Sequence, residues 1–468
     1  MCLPFGLGLT ALPAHAVSLA DLPVGAGYAA WELCTRSFVS GDVYDRVLNE
    51  YTAPKVQPLP WIWRIDRDPQ RRIQVSTWLP AVEDRRVGLY RAGLGCTLVP
   101  PDAREAEVAA QPFKPVATPA PSQAPWPQGE AAADPSGLTG AQAGVLARHG
   151  ALIFGEASDQ LDRKRNTIAL LVAQNGQLVH EAYRAGYQRR QPQLGWSMTK
   201  TVTALIAGLM HHDGRLKLDA PVGLREWQDS DKAKITWRQV LNHAPGLAWD
   251  EGYGGASDVT VMLYNHADQG RWAAARPLVT EPGSHFIYST GFSNIAMLGL
   301  RRLAGDTHQA IYDYYQQRLF APLGIRGGVI EPDASGTPVG GARGVLRPVD
   351  WLRLGQLVAN HGQWQGKTLI APAYMDFMVA ASPASPEYGG SIWRLPAKNV
   401  PMMLRPRLPE DLVWFAGHMG QIMVVVPSRQ LVVLRMGVAF DKDVAREQVF
   451  ALVADLLAAQ APPAEGSD

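Results

Sequence analysis

Ser197 and Lys200, in the stretch "LGWSMTKTVTALIAGLM", are two residues whose types and spacing suit nucleophilic chemistry. A serine hydroxyl attacks poorly until its proton is removed, and a lysine one helical turn away supplies either the base or a local positive field. Val202, Leu205, Ile206, Leu209 and Met210 follow the spacing of a helix with one buried face, so the pattern predicts a helix beginning at Ser197. There the hydroxyl meets unpaired N–H groups and the positive end of the helix dipole. A cation is disfavoured at that end, so Lys200 makes sense if it works beside the hydroxyl. The competing reading is a capping serine with a solvated lysine, and S-x-x-K alone does not separate the two.

Two further groups of residues separate them. Tyr288-Ser289-Thr290 follows a Pro-Gly turn and precedes a second apolar helix, and His418-Met419-Gly420 immediately precedes a β-rich run. In this order the chain resembles the class C β-lactamase and penicillin-binding-protein-like serine hydrolases, a superfamily that includes esterases and 6-aminohexanoate-dimer hydrolases. The segments "ITWRQVLNHAPGL", "ARGVLRPVDWLRLGQLVANHGQWQGKTLIAP" and "FAGHMGQIMVVVPSRQLVVLRMG" extend the resemblance over Leu138 to Gln460.

The resemblance implies that Ser197 is the nucleophile, Lys200 its activator, and Tyr288 the general base and then the acid to the leaving group. A free phenol titrates near ~10, so ionising it at neutral pH needs about 3 units of help, roughly 4 kcal/mol. Lys200 and Tyr288 are therefore expected to act as one coupled unit. The N–H groups of Ser197 and Gln421 are the expected oxyanion donors. Gly420 is expected to let substrate lie against a strand edge, and His418 stands where the lactamase version has lysine. A strand-end histidine with a structural hydrogen bond is the other reading of His418. Thr290 occupies the place of an asparagine that helps hold the substrate amide. The changes at His418 and Thr290 both favour an ester or amide over a β-lactam. Trp196 and Asn294 fit pocket lining and packing equally well.

These residues need a scaffold. "NTIALLVAQNGQLVHEAYRAGY" places β-rich runs on both sides of Asn175-Gly176, a hairpin signal because both residue types tolerate positive φ. "GQIMVVVPSRQLVVLRMG" repeats the plan around Pro-Ser-Arg, and "DVAREQVFALVADLLAAQ" reads as a C-terminal helix. Strands at both ends of a unit with a largely helical middle predict a mixed α/β fold. In the β-lactamase/transpeptidase-like form that the resemblance implies, the N- and C-terminal parts share one antiparallel sheet flanked by helices. A helical subdomain is inserted between them. The serine hydrolase unit is expected over 138–460, with a polar tail over 461–468.

Before it, 17–100 forms an accessory region, and 101–137 is a Pro/Ala-rich linker or surface strap ("QPFKPVATPAPSQAPWPQ"). Residues 1–16 form a short apolar run ending in Ala14-His15-Ala16, which predicts a signal peptide and a periplasmic or secreted protein, although no Lys or Arg precedes the run. A buried N-terminal segment is the alternative. Removal of Cys2 would leave Cys34 and Cys96, an even pair able to form a disulfide in an oxidising compartment or to stay as two buried thiols.

A formal charge of +1 provides no field for nucleic acid or an anionic membrane, and no segment is long enough to span a bilayer. No clustered ligand spacing suggests a metal, and no cofactor is expected. Other patterns carry nothing. "HGQWQGKT" has His361 where a phosphate loop begins with glycine, and Lys367-Thr368-Leu369 ends in a leucine that blocks backbone approach. Arg238 replaces the glutamate of the class A deacylation motif, and Thr199 spoils a nucleophile elbow. His211-His212 reads as a helix end.

The expected function is a serine hydrolase that cleaves an ester or amide through an acyl-enzyme, acting on a small-molecule or peptide-like substrate. The alternatives are a β-lactamase or D-Ala-D-Ala peptidase, an α/β-hydrolase-type esterase, and a catalytically silent binder.

Overall fold

The structure, a computed structural model, describes residues 17–460 except 69–70, 80–81, 83, 118–119, 157–159 and 161–162. The predicted signal peptide over 1–16 and the polar tail over 461–468 lie outside the described residues. The chain opens with a buried helix α1 (Asp21–Cys34), followed by a four-stranded antiparallel meander. Its strands are β1 (Trp63–Asp68), β2 (Arg72–Thr77), β3 (Arg86–Arg91) and β4 (Gly95–Val99). Small residues in "VGAGYAA" let α1 approach its neighbours closely, and a Cβ on Gly27 would lie 2.7 Å from that of Tyr264. Cys34 and Cys96 form a disulfide with a Cα separation of 6.1 Å, tying the end of α1 to β4.

The unit expected over 138–460 then runs through α2 (Gly140–Phe154), β5 (Thr167–Gln174), β6 (Gln177–Tyr183), β7 (Gln193–Trp196), α3 (Thr199–His212) and α4 (Thr290–Ala304). It continues with β8 (Val329–Ile330), β9 (Gly344–Leu346) and α5 (Pro348–Ala359). The last elements are β10 (Trp393–Arg394), β11 (Val413–Ala416), β12 (Ile422–Val426), β13 (Leu431–Gly437) and α6 (Lys442–Ala458). Asn175 (φ 50°) and Gly176 (φ 74°) both take the left-handed conformation that joins β5 to β6.

The main sheet is antiparallel, in the order β10-β11-β12-β13-β5-β6, so strands from the two ends of the unit meet where β13 pairs with β5 (Leu434 opposite Leu171). This is the expected α/β architecture. Alternation along the strands divides the core. Leu170, Val172, Val424 and Val433 pack with Val145 of α2 and Phe450 and Val453 of α6 on one face. Leu171, Ala173, Val432 and Leu434 face the larger cluster that includes Leu354 and Leu357 of α5. A second small sheet, β7-β9-β8, carries the chain into α3.

The stretch expected to be a linker or strap is held by specific contacts. Trp126 is buried and donates from Nε1 to the Val349 carbonyl at 3.2 Å. Arg353 donates to the carbonyls of Pro127 (3.1 Å) and Gly129 (2.7 Å), and Glu130 pairs with Arg347 at 2.9 Å. A backbone without a ladder of its own finds partners in these side chains.

Candidate active site

Ser197 lies in a tight turn between β7 and α3. Trp196 takes a positive φ of 50°, Met198 donates its N–H to the Gly195 carbonyl (3.2 Å), and Lys200 donates its N–H to the Ser197 carbonyl (3.1 Å). The residue preceding the helix is Met198, which makes no side-chain cap. Ser197 is therefore not the helix cap; it is half-buried, with its hydroxyl directed at Lys200.

Lys200 is buried and its Nζ has three close oxygens: Ser197 Oγ at 2.9 Å, Thr290 Oγ1 at 2.8 Å and the Gly341 carbonyl at 2.8 Å. Burial lowers its pKa to about 8, against the Glu251 carboxylate, which raises it from 4.0 Å away. The Gly341 carbonyl can only accept. Thr290 donates its own proton to Glu251, so it too accepts from the lysine. Two of the three positions on Nζ are thus fixed as donors. The third, facing Ser197, carries the proton in the ammonium and the lone pair in the free amine.

Tyr288 reaches the same place from 91 positions along the chain. Lys200 Nζ lies 4.9 Å from the centre of its ring, which stacks on Trp393 with ring centres 5.2 Å apart. Burial first, then the Glu251 charge, pushes the phenol above its ordinary value, while hydrogen bonds from Ser197 and Trp393 pull the other way. The structure therefore brings Ser197, Lys200 and Tyr288 together.

Thr290 belongs to this group in a different way from the one expected. It is fully buried, with its hydroxyl between Lys200 and Glu251, so it holds the lysine and does not face substrate. Asn294 is also buried. It accepts from the Gly341 N–H at 2.9 Å and so sets the carbonyl that holds Lys200, which makes its role packing and positioning. Trp196 lines the cavity described below.

The third motif is displaced. His418–Gly420 is a single turn between β11 and β12, with Met419 at a φ of 56°. Gly420 faces away from the serine, and a Cβ there would meet Ala439 at 3.1 Å and Ala445 at 3.3 Å. The close approach falls at Gly417, where a Cβ would collide with the Gly195 carbonyl oxygen. The Gln421 side chain pairs with the Gly437 backbone, accepting its N–H at 2.9 Å and donating to its carbonyl. The Gln421 side-chain amide is therefore a brace on β13, and its backbone carbonyl accepts the Gly417 N–H at 2.8 Å. The Ser197 N–H has no hydrogen-bond acceptor among the described residues. The His418 ring stacks on Tyr253 (5.0 Å) and meets Trp196 edge-on (5.2 Å). Burial first, then Lys55, Lys442 and Arg446, holds it well below the usual histidine pKa, so it is neutral.

Two groups were not legible as site residues. Glu251 accepts from the Thr290 N–H (2.8 Å), Trp249 Nε1 (2.6 Å) and the Tyr253 hydroxyl (3.2 Å). His243 accepts the Ser289 N–H on Nδ1 (3.1 Å), so its Nε2 carries the proton directed at Ser293 (3.2 Å). It thereby fixes the segment bearing Tyr288. The segment "LNHAPGL" contains His243, but nothing in its spacing points to Tyr288.

Arg238 pairs on the surface with Asp219, Lys367 and Thr368 form half of an exposed two-residue hairpin, and His211 bonds the Leu216 carbonyl after α3. Among the described residues no cluster of His, Cys, Asp or Glu could hold a metal, and no helix is long and apolar enough to cross a membrane.

Solved structures share this fold. EstCE1, described as a hydrolase with promiscuous acyltransferase activity, superimposes with a TM-score of 0.54 at 17% identity, over 67% of this chain and 98% of its own. A putative 6-aminohexanoate-dimer hydrolase from Bacillus anthracis gives 0.52 at 17% identity, over 62% of this chain and 78% of its own. A putative beta-lactamase from Bacteroides dorei gives 0.50 at 18% identity, over 62% and 93%. No curated protein matches. The Beta-lactamase family profile matches residues 153–457, well over half of the chain and the part that holds Ser197, Lys200 and Tyr288. The chain belongs to the beta-lactamase family.

Proposed function

We propose that the protein is a serine hydrolase that cleaves an ester or amide bond through an acyl-enzyme on Ser197. The observation that carries this reading is the 2.9 Å contact between Lys200 Nζ and Ser197 Oγ, with the other two lysine positions fixed as donors. The pKa of the buried lysine, about 8, leaves an appreciable fraction as free amine near neutral pH, while the phenol of Tyr288 stays protonated. Displacement of two titratable groups in opposite directions separates base from acid. Lys200 takes the Ser197 proton as Oγ attacks the carbonyl carbon, and Tyr288 gives its proton to the leaving oxygen or nitrogen as that bond breaks. The Lys200 proton then restores the phenol. In the second half, water loses a proton to the same pair and attacks the acyl carbon, and the pair returns that proton to Ser197 Oγ as its bond to the acyl carbon breaks. The Ser197 N–H, with the His418 N–H, is suited to the developing oxyanion, since the Gly417 N–H is already given to the Gln421 carbonyl at 2.8 Å.

The neutral His418 leaves no fixed cation at the third-motif position itself, which supports an ester or amide over a β-lactam. The Cys34–Cys96 disulfide supports an oxidising compartment, periplasmic or extracellular. A fluorophosphonate probe tests the reading. It is expected to label the wild-type protein and not Ser197→Ala, with turnover of p-nitrophenyl esters exceeding that of nitrocefin. Labelling that survives Ser197→Ala, or no labelling of either protein, would overturn it.

A further inference from the structure

The family match begins at residue 153, yet the cavity beside Ser197 is built largely from residues before it. That cavity, about 890 Å³, has a floor of Trp196, Tyr253 and His418 and a roof that includes Tyr28, Leu59 and Trp61. Its lining adjoins the site through Trp196 and Tyr253. Trp196 immediately precedes the nucleophile, and the Tyr253 hydroxyl lies 3.4 Å from Thr290 Oγ1. Its volume suits a drug-sized ligand. The roof is held in place: Tyr28 stacks on Trp196 (ring centres 6.3 Å apart), Trp31 meets the same indole edge-on (5.1 Å), and Trp31 Nε1 donates to Glu331 at 2.7 Å. Trp61 stands 80% exposed at the rim, and a single exposed indole beside an apolar cavity is well placed to contact a ligand.

Charge is concentrated at the same place. Lys55 lines the cavity and has no ion-pair partner among the described residues, and Lys442, at the start of α6, has none either. Arg446, one turn further along α6, is buried with its Nε unpartnered. Its Nη2 donates to the Gly417 carbonyl at 2.7 Å, and Asp443 is 4.0 Å from Nη1. Asp21, the one carboxylate in the cavity wall among the described residues, is occupied by Ser18 (2.7 and 2.8 Å) and the Ala256 N–H (2.6 Å). An apolar chamber with an unpaired lysine in its wall, and an aspartate already held by its own hydrogen bonds, suits an amphipathic anion whose charge lies at Lys55.

We propose that this cavity is a substrate subsite for a bulky apolar group bearing a carboxylate, with Tyr28, Leu59, Trp61 and Trp196 holding its body and Lys55 its charge. The preferred substrate is then an ester or amide whose aryl or alkyl half ends in a carboxylate. Its description as a substrate subsite rests on the hydrolase reading above, but the binding itself does not. Calorimetric titration of Ser197→Ala with 4-phenylbutyrate and with 4-phenylbutanol tests the binding. The acid is expected to bind about tenfold more tightly than the alcohol. Lys55→Gln should abolish that difference and Trp61→Ala should weaken both ligands, while Trp78→Ala, at an exposed indole outside the cavity, should change neither. Both test residues are exposed, and thermal melting shows that the variants remain folded. Equal binding of acid and alcohol, or indifference to Lys55→Gln and Trp61→Ala, overturns the proposal. Failure of the wild-type protein to react with the fluorophosphonate would overturn the hydrolase reading and leave the binding result standing.

Discussion

Lys200 and Glu251 stand 4.0 Å apart, with the Thr290 hydroxyl bridging them, so the carboxylate acts on the lysine through charge and through one intervening hydrogen bond. It raises the lysine pKa that burial lowers. Glu251→Gln removes the charge and keeps an acceptor. The acid limb of kcat/KM is expected to move to lower pH by about one unit. A pH–rate profile of the variant beside wild type checks this, and an unmoved or upward-moved limb would contradict the role given to Glu251.

If Lys200 must lose its proton before Ser197 can, activity falls as pH drops below about 8, approaching tenfold per unit. Tyr288→Phe keeps the ring stacked on Trp393 and removes the acid. We expect kcat to fall about 10²- to 10⁴-fold, more for amides and alkyl esters than for p-nitrophenyl esters, whose leaving group needs little protonation. A variant equally impaired on all three substrate types would show that the phenol has another task.

Glu331 couples the accessory region to the catalytic unit, accepting from Trp31, Thr35 and the Cys96 N–H. Burial raises its pKa to about 7, from an ordinary value of 4.5. The folded state therefore holds a proton that the unfolded state releases between those values. This contribution to stability is complete below about 4.5 and is lost as pH rises through 7, an effect of about 3 kcal/mol. Urea melts between pH 5 and 8 should fall less steeply with pH for Glu331→Gln than for wild type. The slope that remains is expected from Asp333, likewise raised to about 7. Parallel slopes in the two proteins would refute the assignment.

The Cys34–Cys96 bond closes a loop of 62 residues. Chain entropy alone puts its contribution at about 4 kcal/mol. Cys34→Ser/Cys96→Ser should lower stability in denaturant melts by a figure of that order and loosen the roof over the cavity. The loss should be greater for turnover of long-chain esters than of acetates. A selectivity unchanged in a folded double variant would mean that the roof stands without the crosslink.

What could be read from sequence was local. Ser197 and Lys200 are one turn apart, so a single helical pattern places them, and Asn175-Gly176 declares its own turn. The family resemblance supplied Tyr288, which spacing alone does not. Glu251 was missed because it reaches Lys200 from 51 residues away through Thr290, and an acidic residue in a loop signals nothing until the fold closes. The H-x-G pattern points to Gly420, and nothing in the string marks Gly417. Only the left-handed Met419 between them decides which one faces Gly195. The accessory region showed its cysteine pair, but not that Tyr28 and Trp61 would wall the cavity lined by Trp196.

The buried Trp126 and the paired Glu130 also bear on how the chain meets proteases. A run of prolines and alanines would ordinarily invite nicking, because a protease needs an extended segment that it can lift from the surface. Here Arg347 and Arg353 fasten that backbone to α5 on the back of the main sheet. Cutting within Trp126–Glu130 would require the helix to release it first, so the segment that looks most vulnerable in composition should be among the later ones to be cleaved.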